Sequence, residues 1–401
     1  MFIERKRALL GTIALACLSC AQRPQTSGVG LAPPVVAVSG VTASAISDQT
    51  LLTLEDAPRI LEVKPMSEAK QLDAEATCSS DGKYVLEIPE GTFPKIARGT
   101  YIVRAGASRR LVLKGTGFYA RWVSETEVAF IDATGQLMKL DVTLPHHATR
   151  GTQVCGSVLE CESSDPPRLE WVSRQLKDAV LRGATGEMEP FVVRKGEVVG
   201  LAAELRREIG FKILALRVNK IGTLCGYMVR LPGQERRPIS NIDAKKGRLL
   251  CADSPWTTWR NLRDFSVDWP VDRVDEGVRV MFFSEREVVV SLPASKAPTQ
   301  NETYRHCIVS LDTAMARCTP TARPEWFPLG DGRWLVEATV VSSAPGHLID
   351  IVHARSWAIG NNNSAVWWEP HRNSRDPGAL VLQREDMADV RAGIVVLPAD
   401  P

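Results

Sequence analysis

Short β-prone runs separated by turn residues recur from residue 83 to residue 397, and this rhythm limits the fold more than any other feature of the chain. The runs include KYVLEI (83–88), RLVLK (110–114), EVAFID (127–132), QLMKLDV (136–142), KILALRV (212–218), GYMVRL (226–231), VRVMFF (278–283), EVVVSL (287–292), RWLVEATVV (333–341), HLIDIV (347–352), ALVLQ (379–383) and GIVVL (393–397). Each alternates apolar with polar residues or is continuously β-branched, which is how strands read. Turn residues at roughly ten-residue intervals place the chain among all-β sandwiches, barrels and propellers. One segment is ambiguous: GEVVGLAAELRREIG (196–210) fits either a helix ending at Gly210 or a strand and turn.

Bulky anchors separate the β architectures. RPEWFPLGDGRWLVEATV (323–340) sets Trp326 ahead of a Gly-Asp-Gly turn and a strand, and related stretches surround Cys78, Trp122, Trp171, Trp269 and Trp367. Their spacings are 44, 49, 98, 57 and 41 residues, and 98 is twice 49, which leaves room for one unit near residue 220. A period of this size suits a propeller of four-stranded blades. The anchors predict seven blades over residues 46–401, with six as the alternative; a two-sheet sandwich whose Trp residues merely mark its core is the competing architecture. In a propeller each blade packs on two neighbours, so an anchor fills the space between blades while Asp-Gly makes the tight turn. The β-prone stretches TLLTLED (50–56) and RILEVKP (59–65) precede the first anchor, and one of them is expected to pair with the C-terminal blade and seal the ring.

The stretches Ser79-Ser80-Asp81-Gly82, Val123-Ser124-Glu125, Val172-Ser173-Arg174 and Phe327-Pro328 ahead of Asp331-Gly332 resemble the TolB-like (WD40-like) propeller repeats of bacterial envelope proteins. The pattern of that family is an aromatic, then Ser-Pro-Asp-Gly, then an apolar strand. The resemblance implies a six- to eight-bladed propeller used as a binding scaffold.

The N-terminus carries an address. MFIERKRALLGTIALACLSCAQRP opens with Arg5, Lys6 and Arg7 and continues with a short apolar run from Ala8 to Leu18. That run is about half a bilayer span, and the pattern is that of a secretory signal. Small residues before a cysteine make it resemble a bacterial lipoprotein signal, which implies that Cys20, or else Cys17, carries the lipid; an ordinary signal peptide is the alternative. Residues 21–45 are rich in Ser, Thr, Gly, Pro and Ala and read as a flexible tether. The expected organisation is a signal over 1–20, a tether over 21–45 and a propeller over 46–401. The expected location is the cell envelope, anchored to a bacterial membrane and facing periplasm or exterior.

Removing residues 1–20 leaves 46 basic and 46 acidic side chains. With no long Lys/Arg block, nucleic-acid binding is not expected. Seven cysteines follow Cys20, and in an oxidising compartment Cys155–Cys161 and Cys307–Cys318 are expected disulfides, with Cys225–Cys251 a third pair. A metal reading of His146, His147, Cys155 and Cys161 fails on spacing, since structural zinc ligands sit two to four residues apart on short knuckles. No metal and no cofactor is expected. The sequence has no His-Glu-x-x-His, Gly-x-Ser-x-Gly or Gly-x-x-x-x-Gly-Lys motif, GVG (28–30) and GTG (115–117) read as turns, and the scattered histidines read as solvated or turn-packing. Asp81, Asp132, Asp268 and Asp331 are the one route to catalysis, as channel carboxylates of a carbohydrate-active hydrolase, although Asp also caps turns. The leading expectation is a non-catalytic scaffold for a protein, peptide or glycan; the alternatives are that hydrolase and a structural envelope component.

Overall fold

The computed structural model describes residues 37–40, 49–57, 59–65, 77–79, 81, 83–87, 100–105, 110–144, 147–154, 168–182, 190–194, 197–201, 211–230, 246–266, 278–293, 304–319, 325–338, 346–360, 368–372, 379–385 and 390–398. An N-terminal arm contributes four short strands, β1 (Ala37–Gly40), β2 (Gln49–Leu51), β3 (Glu55–Asp56) and β4 (Lys64–Pro65). The strands that follow form seven sheets. The first is β5 (Thr77–Cys78), β6 (Tyr84–Glu87), β7 (Thr100–Ala105) and β8 (Arg110–Thr116); the second is β9 (Phe118–Trp122), β10 (Glu127–Ile131), β11 (Gln136–Asp141) and β12 (Ala148–Gln153). The third is β13 (Arg168–Val172), β14 (Ala179–Arg182), β15 (Pro190–Arg194) and β16 (Glu197–Gly200). The fourth is β17 (Phe211–Val218), β18 (Leu224–Arg230), β19 (Lys246–Ala252) and β20 (Thr258–Ser266); the fifth is β21 (Arg279–Phe282), β22 (Glu287–Pro293), β23 (Tyr304–Ser310) and β24 (Ala316–Cys318). The sixth is β25 (Glu325–Pro328), β26 (Trp334–Ala338), β27 (Gly346–Asp350) and β28 (Arg355–Ile359), and the seventh is β29 (Trp368–Arg372), β30 (Ala379–Glu385) and β31 (Val390–Val396), completed by β4. Segment 196–210 thus begins as the strand β16.

Within each sheet the strands run as an antiparallel meander, and the apolar side chains meet between sheets. Leu86 and Val103 of the first sheet pack with Val128 and Leu140 of the second, and Ile131 of the second with Leu169 and Leu181 of the third. The same handover joins third to fourth, fourth to fifth, fifth to sixth and sixth to seventh. First strands of neighbouring sheets approach one another, β5 with β9, β9 with β13, β17 with β21 and β21 with β25, which puts them at the axis. The protein is therefore an all-β propeller of four-stranded sheets, and the described residues supply as many sheets as the anchors predict.

The anchors fill these interfaces, but not from one repeated slot. Trp122 is the last paired residue before its turn, opposite Val128; Trp171 lies one residue earlier, opposite Val180; Trp326 lies two earlier, opposite Glu337. Alternation along a strand then sends Trp171 toward the following sheet and the other two toward the preceding one. The fourth unit, which lacks a Trp near residue 220, takes its aromatic volume from Trp256 and Trp259, both fully buried beside Trp171. Gly222 has φ +91° and a Cβ there would strike the Trp171 ring, so only glycine fits. Trp269 and Trp367 lie outside the described residues.

The arm is a belt. β4 pairs antiparallel with β31, Pro65 against Gly393 and Lys64 against Ile394, so the 59–65 stretch supplies the seal between the chain ends. The 50–56 stretch goes elsewhere: β2 lies parallel to β24 and β3 parallel to β28. β1 lies parallel to β20, which brings sheet-forming chain upstream of residue 46 and into the stretch read as tether. The arm thus follows the outer edges of four consecutive sheets, and Leu61, buried between the sixth and seventh, is its apolar pin.

Two cross-strand disulfides staple the fourth and fifth sheets. Cys225 opposes Cys251 across β18 and β19, and Cys307 opposes Cys318 across β23 and β24, with Cα atoms 4.2 and 4.1 Å apart. All four sulfurs enter the cluster between these sheets. Cys17, Cys20, Cys155 and Cys161 lie outside the described residues, and Cys78 lies on β5.

Two outcomes follow from the belt and the staples. Deleting residues 46–66 removes β2, β3 and β4 together, so the whole domain should be lost cooperatively rather than fray locally; a truncated monomer with an unchanged melting transition would contradict a sealed ring. Replacing both Cys225 and Cys251 by Ala should cost about 3.5 kcal/mol, and the Cys307/Cys318 pair slightly less than 3 kcal/mol, because the shorter loop restrains the unfolded chain less; denaturant titration measures both.

Candidate functional site

Strands alternate in direction, so the described turns that join first to second and third to fourth strands lie at one end of the ring. This turn face is built on one repeated device. In six sheets a side-chain oxygen at the first-to-second turn accepts backbone N–H groups from the residues that follow. Ser79 accepts from Tyr84, Ser124 from Thr126 and Glu127, and Ser173 from Lys177 and Asp178. Asn219 accepts from Ile221 and Thr223, Ser284 from Arg286, and Asp331 from Arg333 and Trp334. Such turns satisfy donors that the reversal would strand. Gly330 and Gly332, at φ +77° and +75°, give the Gly-Asp-Gly turn its backbone.

From the second sheet to the sixth, the turns are latched to the neighbouring sheet. Arg174 of the third sheet donates to Glu127 of the second at 2.7 Å, and Trp171 Nε1 donates to the Lys220 carbonyl of the fourth at 3.0 Å. Ser254 donates to Asp178, Asn219 Nδ2 to the Glu285 carbonyl, and Gly332 N to the Phe283 carbonyl. Over these five sheets the turns therefore form one framework and not a set of separate loops.

Two carboxylates act as hubs in it. Burial raises the Glu127 pKa, but Lys139, Ser124 and Arg174 outweigh this and hold it below the ordinary value. Asp350 is 1% exposed and takes Arg333 through Nε at 2.9 Å and Nη2 at 2.7 Å, His353 Nδ1 at 2.8 Å, and the amides of Val352 and His353. Burial again pushes upward, and the arginine and histidine bonds prevail, so its carboxyl sits low. Arg333 also lies 4.4 Å over the Trp334 ring. Three residues along β27 from Asp350, toward the opposite end of the sheet, His347 pairs with Glu337 at 3.1 Å, and Asp56 of the arm bonds the Ser356 hydroxyl.

What the framework presents outward is apolar at its tips. Ile221 (59% exposed), Met315 (51%) and Val352 (62%) cap turns of the fourth, fifth and sixth sheets, and Leu144 (56%) caps one of the second. Lys177, Lys220 and Arg286 stand among them, with Glu285 and Asp312. Large apolar side chains at the ends of braced turns are suited to be covered by a partner.

The candidate acids are turn caps. Asp81 bonds Ser79 and the Lys83 amide, and its side-chain bonds to Lys83 and Ser79 hold its pKa down to about 2. Asp132 bonds the amides of Thr134 and Gln136, but at the second-to-third turn, on the opposite face from Asp81 and Asp331. Asp268 and His146 lie outside the described residues, and His147 is exposed in a turn. Among the described residues no three His, Cys, Asp or Glu converge on a point that would hold a metal. GTG (115–117) is not the expected turn: Gly115 and Thr116 pair with Tyr101 and Thr100 at the end of β8, and only Gly117, where a Cβ would enter the Phe130 ring, joins β8 to β9.

His306 corrects the expectation that the histidines are solvated or pack in turns. It is fully buried, its Nδ1 2.8 Å from Ser291 Oγ and its ring stacked on Trp326 with centroids 4.5 Å apart. Period-2 alternation in YRHCIVS (304–310) was the available signal, since His306 shares a face with Tyr304 and Ile308.

No protein-family model matches the chain, and no curated protein does. Solved structures similar to it include two WD40 domains and the N-terminal domain of Nup159. The C-terminal WD40 domain of Sif2 is 11% identical, with 81% of this chain and 82% of that one covered and a TM-score of 0.43. The N-terminal domain of Nup159 is 9% identical, with 87% and 99% covered and a TM-score of 0.42. The Pan2 WD40 domain of Neurospora crassa is 10% identical, with 86% and 96% covered and a TM-score of 0.38.

The hubs make stability depend on pH at both ends. The Glu337 hydrogen bond raises the His347 pKa against burial, aided by the charges of Glu337 and Asp56. A raised folded pKa means that its contribution is complete below the ordinary histidine value of 6.5 and is lost as pH rises through the folded value. Asp350 has the opposite sign: its contribution is present above 3.8 and is lost as pH falls through its depressed value. H347Q should flatten the alkaline limb of stability against pH, and Asp350→Ala should cost about 2–3 kcal/mol by leaving Arg333 without its carboxylate; urea titrations across pH check both.

Proposed function

We propose that this protein is a non-catalytic binding scaffold, exported and held at a bacterial membrane by a lipid on Cys20 or Cys17, that takes a protein or peptide partner on its turn face. The observation that carries the binding role is the set Ile221, Met315 and Val352, exposed apolar tips on three successive sheets, standing on turns that are capped and latched. A preorganised surface loses little entropy when a partner covers it. Its apolar, non-aromatic tips fit a protein or peptide better than a glycan. The hydrolase reading draws no support from the site, because Asp81 and Asp331 on one face and Asp132 on the other are all engaged in local turns.

Export is supported by the two disulfides, whose sulfurs lie in an apolar interface of a chain with no other covalent restraint among its described residues. Such bonds persist in oxidising compartments. The basic n-region and short apolar run that resemble a lipoprotein signal are the ground for the lipid, and a TolB-like envelope role is part of the same reading.

Photo-crosslinking residues placed at 221, 315 and 352 in the producing cell should trap a partner, whereas one at Thr134 on the opposite face should not. Crosslinks confined to the Thr134 site, or none at the turn face, would overturn the reading of this surface. For the anchor, intact-mass analysis of the mature N-terminus should show an acylated cysteine as residue one; an unmodified N-terminus downstream of Ala21 would exclude it.

A further inference from the structure

Three arm strands enter the ring at the same kind of place. β1, β2 and β3 run parallel to the fourth strands of the fourth, fifth and sixth sheets, and each time first residue meets first residue: Ala37 opposes Thr258, Gln49 opposes Ala316 and Glu55 opposes Arg355. Each arm strand therefore starts at the turn face, beside the third-to-fourth turn that feeds its partner. Those three turns share a backbone feature. Trp256, Ala314 and Ala354 lie in the left-handed region at φ 58°, 59° and 52°, although none is glycine. A side chain makes that conformation costly, and it persists only where the surroundings hold it. Two of the three turns carry the exposed tips Met315 and Val352.

The turn of the sixth sheet is held from two sides. On one, Asp350 accepts the amides of Val352 and His353. On the other is the arm: Glu55 N donates to the carbonyl of the left-handed Ala354 at 2.8 Å, and Ala57 N donates to the Ser356 carbonyl at 2.6 Å. Leu52 and Leu54 of the arm, half-buried, pack on the core between the fifth and sixth sheets, where Ile351, the neighbour of Val352, is buried. At the fifth sheet, Met315 immediately precedes the residue that opposes Gln49, and Leu52 N donates to the Cys318 carbonyl at 2.9 Å at the far end of β24. The Ile221 tip is braced differently, by Asn219 within its own turn and by the Glu285 carbonyl of the next sheet.

We infer that the arm regulates the turn face: the seating of residues 49–57 fixes the turns that carry Met315 and Val352, so arm seating and partner binding at these tips strengthen each other. The regulation rests on the turn face being the binding surface proposed above. Linkage of this kind is reciprocal. Whatever draws the arm from β24 and β28 lowers affinity for the partner, and a bound partner holds the arm in place. Ile221 stands outside the coupled unit, so loss of the arm removes part of the surface and not all of it.

The first measurement is native-state amide exchange of the unaltered mature chain in low urea. Glu55, Ala57, Val352 and His353 should open together as one unit, before Val289 and Leu335 of the core. Continued protection of Val352 and His353 after Glu55 and Ala57 have opened would overturn the coupling, and this result needs no variant to fold. The second compares Glu55→Pro, which deletes the donor N–H, with Glu55→Ala, which keeps it. Exchange at Val352 and His353 should quicken about tenfold in the first and stay unchanged in the second; equal effects of the two would overturn the proposal. In the producing cell, photo-crosslinking at 352 should fall about tenfold with Glu55→Pro and hold steady at 221. An undiminished crosslink at 352 in that variant would overturn the regulation. No crosslink at 352 with the arm unaltered would instead overturn the turn-face reading, a failure that the exchange measurements distinguish because they need no partner.

Discussion

A four-stranded sheet with two apolar faces must put both of them against something, and here the only cover available is another sheet. Val128 and Ala129 are neighbours on β10 yet belong to different cores, one shared with the first sheet and one with the third. The same division runs along the second strands of the fifth and sixth sheets, where Val288 and Val289, and Leu335 and Val336, look opposite ways. With burial worth about 25 cal/mol per Å² of apolar surface, neither face can be left wet. No sheet is therefore a folding unit, and the ring is stable only as a whole.

That dependence leaves the edges as the remaining exposed polar structure. Faces are solved by neighbours, but the outermost strand of each sheet still shows a row of backbone donors and acceptors to solvent. The arm answers this with very little sequence. β2 and β3 are three and two residues long and align by backbone bonds, while Leu61 and the Asp56–Ser356 bond hold them in place. Because the arm ends as the fourth strand of the seventh sheet, covering edges and joining the chain ends are one act. The same arm brings Asp56 near His347, so a titrating group on the sixth sheet reports on whether the belt is seated.

The sequence makes legible whatever the propeller requires as a pattern. Alternation in EVAFID and EVVVSL reveals strands because one residue in two must face each neighbouring sheet. Turn signals reveal sheet boundaries because a reversal needs a cap, and the recurrent serines at 79, 124, 173 and 284 are those caps. What stays hidden is whatever the ring requires only as volume or as backbone. Trp256 and Trp259 serve the third-to-fourth interface from the outer half of their sheet, so an inner-strand spacing could not find them. β1 is AVSG, a composition that reads as spacer, because an edge strand held by its backbone needs no apolar side chains. The stacked His306 stays hidden for a related reason: a polar letter in a strand gives no sign of the hydroxyl and the indole that it meets.

The caps also show how the carboxylates of this surface are used. A carboxylate that accepts two backbone amides, as Asp132 and Asp331 do, is fixed in direction by the turn that it makes. It cannot be moved toward a substrate without undoing that turn. Glu127 and Asp350 are more committed still, each neutralised by two cationic or imidazole partners drawn from other strands or turns. The polar chemistry of this face is spent on its own geometry. Outside this framework stand the exposed tips Ile221, Met315 and Val352, and the bond from the Val352 amide to Asp350 ties one of them to a buried carboxylate.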